Sequence, residues 1–241
     1  MSSNLKTKIL ELIGEPDKNI EERLNHFLEC INKSRIDGVL SWLDNIKTNL
    51  PAEVTEINLN DVNDGWILNE ETGNLEHETG GFFKVIGVRT ETSIRESGKG
   101  WNQPMVDQGT EASVVGLVKY NNKYLVEAKF EPGNYGEVLL SPTLQVTYDN
   151  LNKLHSGRKP LYSEYFDGTI TKGIDVKFEH WYPEDGGRFY KKRVKNMLVE
   201  VDSDVGNIPQ NFIWLNMYQL KELLKLDNIM NPHLRSIISY L

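Results

Sequence analysis

The residues of this chain best suited to moving protons stand in one short stretch, Glu127-Ala128-Lys129-Phe130-Glu131-Pro132-Gly133-Asn134. Side chains on a strand alternate with period two, so a strand through this stretch sets Glu127, Lys129 and Glu131 on one face. The lysine keeps the carboxylates ionised and offers a donor to an oxygen that gains charge. Pro-Gly-Asn then stops the strand, which leaves Glu131 where a strand end opens onto a turn. Glu131 is the first choice for a base, with Glu127 the alternative further back on the strand. The competing reading is a surface ladder of Glu, Lys and Glu held by cross-strand pairing.

The elements that must position these groups change character near residue 50. From Leu5 to Leu50, apolar residues such as Ile9, Leu10 and Ile13, then Leu24, Phe27, Leu28 and Ile31, then Val39, Leu40, Leu43 and Ile46 recur at helical spacing. Pro51 ends this segment, and Val54 to Asn60 opens a region of short strands separated by Gly and Asn turns. Strands are predicted over Phe82–Arg89, Ala112–Tyr120 and Lys123–Phe130, the last two joined at Asn121-Asn122 as a hairpin. Leu139–Thr147 and Gly173–Phe178 read as shorter strands and Phe189–Val201 as a long one. Asn216 caps a helix carrying Leu220 and Leu223, and Asn231-Pro232 starts another with Leu234, Ile237 and Ile238. The fold class is α+β, divided into a helical segment over 1–50 and one module over 51–241.

Composition removes several classes of function. No run of eighteen apolar residues occurs, and Met1–Ile13 lacks the apolar core of a signal peptide, so a cytoplasmic protein with no membrane partner is expected. The single cysteine, Cys30, allows no internal disulfide and no cysteine-based metal cluster. A net charge of −8 argues against nucleic acid as a general partner. Arg188, Lys191, Lys192, Arg193 and Lys195 nevertheless form a local cluster of cations suited to a small anion, or else a solvated strand face. No GxGxxG follows a strand, so a bound dinucleotide is not expected, and no metal motif is present.

Further pieces stand along the chain in order: GFFKVIGVR from Gly81, RES and WNQPM from Arg95 to Met105, EAKFEPGN from Glu127, SPTLQVTYDN from Ser141, LYSEYF from Leu161, GGRFYKKRVKNMLVEVD from Gly186 and WLNMYQLKELLKLDN from Trp214. Together, over roughly residues 54 to 241, they resemble the NDP-hexose 2,3-dehydratases of deoxysugar biosynthesis. The resemblance implies a Nudix-hydrolase-like mixed sheet flanked by helices. The family's usual chains carry two such modules and this sequence carries one, so a homodimer is expected to reproduce the tandem arrangement. The glutamate-rich box that a Nudix hydrolase uses to hold magnesium is missing, because Arg95-Glu96 leads into Ser97-Gly98-Lys99.

The reaction so implied needs no metal and no redox cofactor. Its substrate is a nucleotide-linked sugar, a 4-keto-6-deoxyhexose with the dTDP form expected, whose ketone acidifies the C3 proton. A base removes that proton, donors hold the enolate oxygen, and an acid protonates the departing C2 hydroxyl. The 3,4-diketo product is labile, which implies a downstream 3-ketoreductase as partner. For these roles the strand pattern offers Glu131 or Glu127 as base and Lys129 as donor, and the resemblance implies His155 as acid, with Tyr162 and Tyr165 competing for the acid role. Trp101, Tyr165 and Phe189 offer faces to the nucleotide base, and Gln103, Gln108, Asn134 and Gln145 offer hydrogen bonds. Arg89, Arg193 and Lys192 suit the diphosphate, and Asn196 belongs to the same binding set. His26, His77, His180 and His233 match nothing in the family and read as ordinary structural residues. A catalytically silent nucleotide-sugar binding module and another lyase or isomerase of a related keto sugar are the alternatives.

Overall fold

The computed structural model describes residues 2–14, 17–30, 34–93, 100–151 and 159–241. The predicted N-terminal helices form as α1 (Ser2–Ile13), α2 (Lys18–Cys30) and α3 (Asp37–Asn49). Their apolar stripes decide what they pack on. Val39 and Leu43 of α3 are buried in the same core as the main sheet, and the Trp42 indole N–H donates to the Gln210 carbonyl at 3.0 Å. No helix among the described residues is long and apolar enough to cross a membrane.

Residues 51–58 form no strand and are exposed. A small antiparallel sheet follows, with β1 (Trp66–Leu68), β2 (Leu75–His77), β3 (Lys84–Thr90) and β4 (Trp101–Asp107) in sequence order. The main sheet is built from β5 (Glu111–Tyr120), β6 (Lys123–Phe130), β7 (Val138–Ser141), β8 (Leu144–Thr147), β9 (Ile174–Pro183), β10 (Arg193–Val201) and β11 (Phe212–Asn216). Its order is β11-β6-β5-β10-β9, with β10 parallel to β5 and the other neighbours antiparallel, so the sheet is mixed. The β5–β6 turn is tight because Asn121 and Asn122 both adopt positive φ, at 46° and 59°, as a two-residue hairpin requires.

What positions the functional groups is a fork in this sheet. β5 and β6 pair only near their hairpin, from Val118↔Leu125 to Tyr120↔Lys123. Further along, β8 pairs with β5 and β7 with β6, so the stretch read from sequence as a single strand over Leu139–Thr147 is two strands broken at Pro142-Thr143. Thr143 sits at the branch point, 2% exposed. Its hydroxyl accepts from the Val118 N–H at 2.9 Å and donates to the Leu125 carbonyl, satisfying backbone groups at the branch.

Two cores lie on the two faces. Val115, Leu117, Tyr124, Val126 and Ala128 join α3 and the C-terminal helices in one. Val114, Val118, Leu125, Tyr162, Phe166 and Phe212 form the other. Gly116 has no side chain because Phe166 covers it, and a Cβ there would stand 2.2 Å from the ring. A single-turn helix α4 (Tyr148–Leu151) follows β8. The two predicted closing helices form as α5 (Met217–Leu223) and α6 (Pro232–Tyr240). Asn216 makes a full capping box with Gln219, and Asn231 accepts from the Leu234 N–H.

The predicted long strand from Phe189 begins instead at Arg193. Lys191 has φ 53°, which breaks strand geometry, and the preceding backbone turns to the small sheet. There the Val106 N–H donates to the Arg188 carbonyl and the Tyr190 N–H to the Val106 carbonyl, both at 2.8 Å.

Candidate active site

Strand β6 sends Val126 and Ala128 into the first core, so alternation sets Glu127 and Lys129 on its other face. Lys129 Nζ stands 3.9 Å from Glu127 Oε2, and Asn211 Nδ2 donates to Glu127 Oε1 at 3.2 Å. Burial pushes the Glu127 carboxyl above the usual carboxylate range; Lys129 opposes this, the charge of Glu131 adds to it, and the Asn211 hydrogen bond opposes it. Lys129 and Glu131 therefore both act on the Glu127 carboxyl, in opposite directions.

Glu131 lies one residue past the strand. Its backbone N–H donates to the Glu137 carbonyl at 2.9 Å, closing the loop that carries Asn134. Both carboxylate oxygens accept from side-chain amides, Oε1 from Gln145 Nε2 at 2.6 Å and Oε2 from Asn134 Nδ2 at 3.2 Å. Gln145 Oε1 in turn accepts from Ser141 Oγ at 3.0 Å and Asn231 Nδ2 at 2.7 Å. Ser141 and Asn231 are buried, so this chain of bonds ties the end of β6 to the fork and to the first turn of α6.

That first turn carries His233, 22% exposed, with Nε2 4.0 Å from Glu184 Oε2. Glu184 pairs with Lys192 at 3.7 Å, and the Lys192 ammonium lies 4.6 Å from the centre of the Phe189 ring. Burial draws the His233 imidazole below the usual histidine value; Glu184 and Glu131 pull it up, while Lys192 and Lys129 push it down. Burial likewise lowers Lys192, against the pull of Glu184. Among the described residues, no three His, Cys, Asp or Glu side chains gather as they would to hold a metal ion.

A sequence model of the NDP-hexose 2,3-dehydratase family matches residues 36–241, most of the chain. The chain belongs to the NDP-hexose 2,3-dehydratase family. Proteins named dTDP-4-dehydro-6-deoxy-α-D-glucopyranose 2,3-dehydratase are similar to it. One from Saccharopolyspora spinosa is 38% identical over 72% of this chain and 36% of its own. Another from Streptomyces violaceoruber is 31% identical over 77% and 42%. A third, from Amycolatopsis orientalis, is 32% identical over 86% and 45%. The chain thus spans less than half the length of these relatives. Among solved structures, an ADP compounds hydrolase superposes on 65% of this chain and 83% of its own, with a TM-score of 0.41 and 11% identity.

Of the residues that the dehydratase resemblance marks, the structure brings together Glu127, Lys129, Glu131, Asn134 and Gln145, and on the α6 side Lys192 and Phe189. Trp101 and Gln103 stand on the small sheet, where Gln103 Nε2 donates to the Gly187 carbonyl at 2.9 Å and so meets the loop that carries Phe189. Gln108 is half-buried just after β4. Arg89 is exposed and bonds Asn102, while Arg193 pairs with Glu111 at 2.7 Å and lies over Trp181. Asn196 is 2% exposed on β10, and its Oδ1 has no hydrogen-bond partner among the described residues. Tyr162 and Tyr165 pack in the second core, and burial pushes both phenols above the usual range, which makes them weaker acids. His155 and Arg95–Lys99 lie outside the described residues.

Ser141, Glu184 and Asn231 are given no role at the site by the sequence, and His233 reads there as an ordinary structural residue, yet all four complete the cluster. The Asn-Pro signal did place His233 in the first turn of a helix. Nothing local says that this turn meets the end of β6.

Proposed function

We propose that the protein eliminates water across C2–C3 of a nucleotide-linked 4-keto-6-deoxyhexose, with dTDP-4-keto-6-deoxyglucose as the working substrate, to give a 3,4-diketo-2,6-dideoxy sugar. One observation carries this reading: in a chain of the dehydratase family, Glu127, Lys129 and Glu131 share a partly buried face in which one carboxyl is raised by burial and another is clamped by two amides.

As a carboxylate the clamped Glu131 accepts from both amide partners and suits the base that removes the C3 proton. Lys129 donates to the oxygen at C4 as charge moves there. Glu127, held toward its neutral form by burial, suits the acid that protonates the departing C2 hydroxyl. The resulting C2=C3 enol takes a proton at C2 and gives one up from the C3 hydroxyl, which leaves the second ketone. The substrate's own carbonyl supplies the activation, so the roles named here need neither a metal ion nor a nicotinamide cofactor. A reductase of the new C3 ketone is the partner that such a labile product needs.

We also propose a homodimer. Leu12, Ile13, Ile20 and Phe27 leave apolar surface exposed on α1 and α2 that a second copy would cover. A mass equal to one chain by light scattering at working concentration refutes this.

Incubation of the purified protein with dTDP-4-keto-6-deoxyglucose and a trapping 3-ketoreductase tests the activity. The expected outcome is a 2,6-dideoxy sugar nucleotide. Binding without consumption would instead make the protein a silent nucleotide-sugar binding module.

A further inference from the structure

We propose that His233 is a second donor to the C4 oxygen and completes, with Lys129, the site where the enolate charge gathers. The assignment rests on the dehydratase reading above. The fold fixes the imidazole through α6: Asn231 caps the helix, donates to Gln145, and Gln145 donates to Glu131. His233, two residues past this cap, is thus held to the same framework as the base. Glu184 Oε2 stands 4.0 Å from its Nε2, and the charges of three elements act on the ring: Glu184 and Lys192 from the β9–β10 connection, Lys129 from β6, and Glu131 from the loop that follows.

Two acids and two lysines give an imidazolium no net partner, so burial decides its state and favours the neutral ring. A neutral imidazole keeps one N–H. It can donate to an oxygen that is becoming negative without giving up its proton, and a half-buried setting strengthens that bond. The step balances within the substrate. Glu131 takes the C3 proton, the C–H electron pair forms C3=C4, and the carbonyl pair moves onto the oxygen that Lys129 and His233 face. The pair then returns, C2=C3 forms, and the C2–O bond breaks as Glu127 supplies the proton that makes water.

Substrate carrying deuterium at C3 separates this role from its competitors, because release of the label reports enolisation and product reports loss of water. In His233→Ala, label release and elimination should fall together, by about 10²–10³-fold. His233→Gln keeps an N–H donor and should fall less. Binding of dTDP and far-ultraviolet circular dichroism show whether each variant is folded. The proposal is overturned if His233→Ala still releases label at the wild-type rate while elimination is lost, which would place the imidazole on the leaving hydroxyl. Unchanged rates of both would make it a packing residue. A wild-type protein that neither releases label nor eliminates removes the dehydratase reading itself, and the role of His233 with it.

Discussion

Gln145 fixes Glu131. Its Nε2 donates to the carboxylate at 2.6 Å, and its Oε1 accepts from Asn231 at 2.7 Å. A carboxylate only accepts, so the amide nitrogen must face Glu131 and the oxygen must face the helix cap. The position of the base is therefore set by a helix terminus that follows it by most of the C-terminal half of the chain.

Gln145→Leu should show what this bond holds. The substitution leaves the buried Asn231 amide and the Ser141 hydroxyl without their shared acceptor, and stability to urea should fall by about 1–3 kcal/mol. Turnover should fall more than nucleotide binding does, since Glu131 loses its firmer partner. Unchanged stability would show that water replaces the amide.

Glu131→Gln should lower kcat by about 10²–10⁴-fold and leave dTDP binding near the wild-type level. The isosteric amide keeps the shape of the site while removing the proton acceptor. Retention of full turnover would remove Glu131 from the mechanism and pass the role of base to Glu127.

The parts of this site that the sequence made legible were local. Strand alternation was enough to put Glu127 and Lys129 on one face of β6, whereas Glu131, one residue past the strand, is held by Gln145 and Asn134; the caps at Asn216 and Asn231 followed from side-chain chemistry within one turn of helix. The fork was not legible, because β7 and β8 each read as apolar and only the distant β5 and β6 decide that they part at Pro142. Phe189–Lys192 carried strand-like composition, yet the free edge of β4 competes for that backbone and wins. His233 illustrates the remainder. Its helix was predicted, but its charged neighbours come from separate parts of the chain, and no periodicity relates them.

Thr143→Val probes the fork itself. Valine matches the shape of threonine but leaves the Val118 N–H and the Leu125 carbonyl without a partner in a site that is 2% exposed. The loss should be about 2–4 kcal/mol in equilibrium denaturation, from two buried groups at roughly 1–2 kcal/mol each. Thr143→Ser retains the hydroxyl and should recover most of it.

The pH dependence of stability should carry the mark of His233. Its folded-state value lies below the ordinary 6.5, so the unfolded chain binds the proton more readily. The stability this contributes is fully present above about pH 6.5 and is lost as pH falls through the lower folded value. His233→Gln should therefore flatten the stability curve on the acid side of 6.5 and leave its shape above that unchanged. An identical acid limb in the variant would show that the imidazole is solvated.

Lys129 and Glu127 provide the corresponding test on the carboxyl side. Burial raises the Glu127 carboxyl above 4.5, and Lys129 is the largest influence holding it down. Removing that cation in Lys129→Met should move the Glu127 titration to higher pH, read directly by carbon-13 NMR of the side-chain carboxyl. If Glu127 protonates the leaving hydroxyl, kcat/KM should fall as pH rises through the Glu127 value. Glu127→Gln should abolish that limb, and the residual activity of Lys129→Met should show the same limb displaced upward. A titration that stays in place in Lys129→Met would mean that the 3.9 Å pair is screened by water. A limb that persists in Glu127→Gln would assign the acid to another residue.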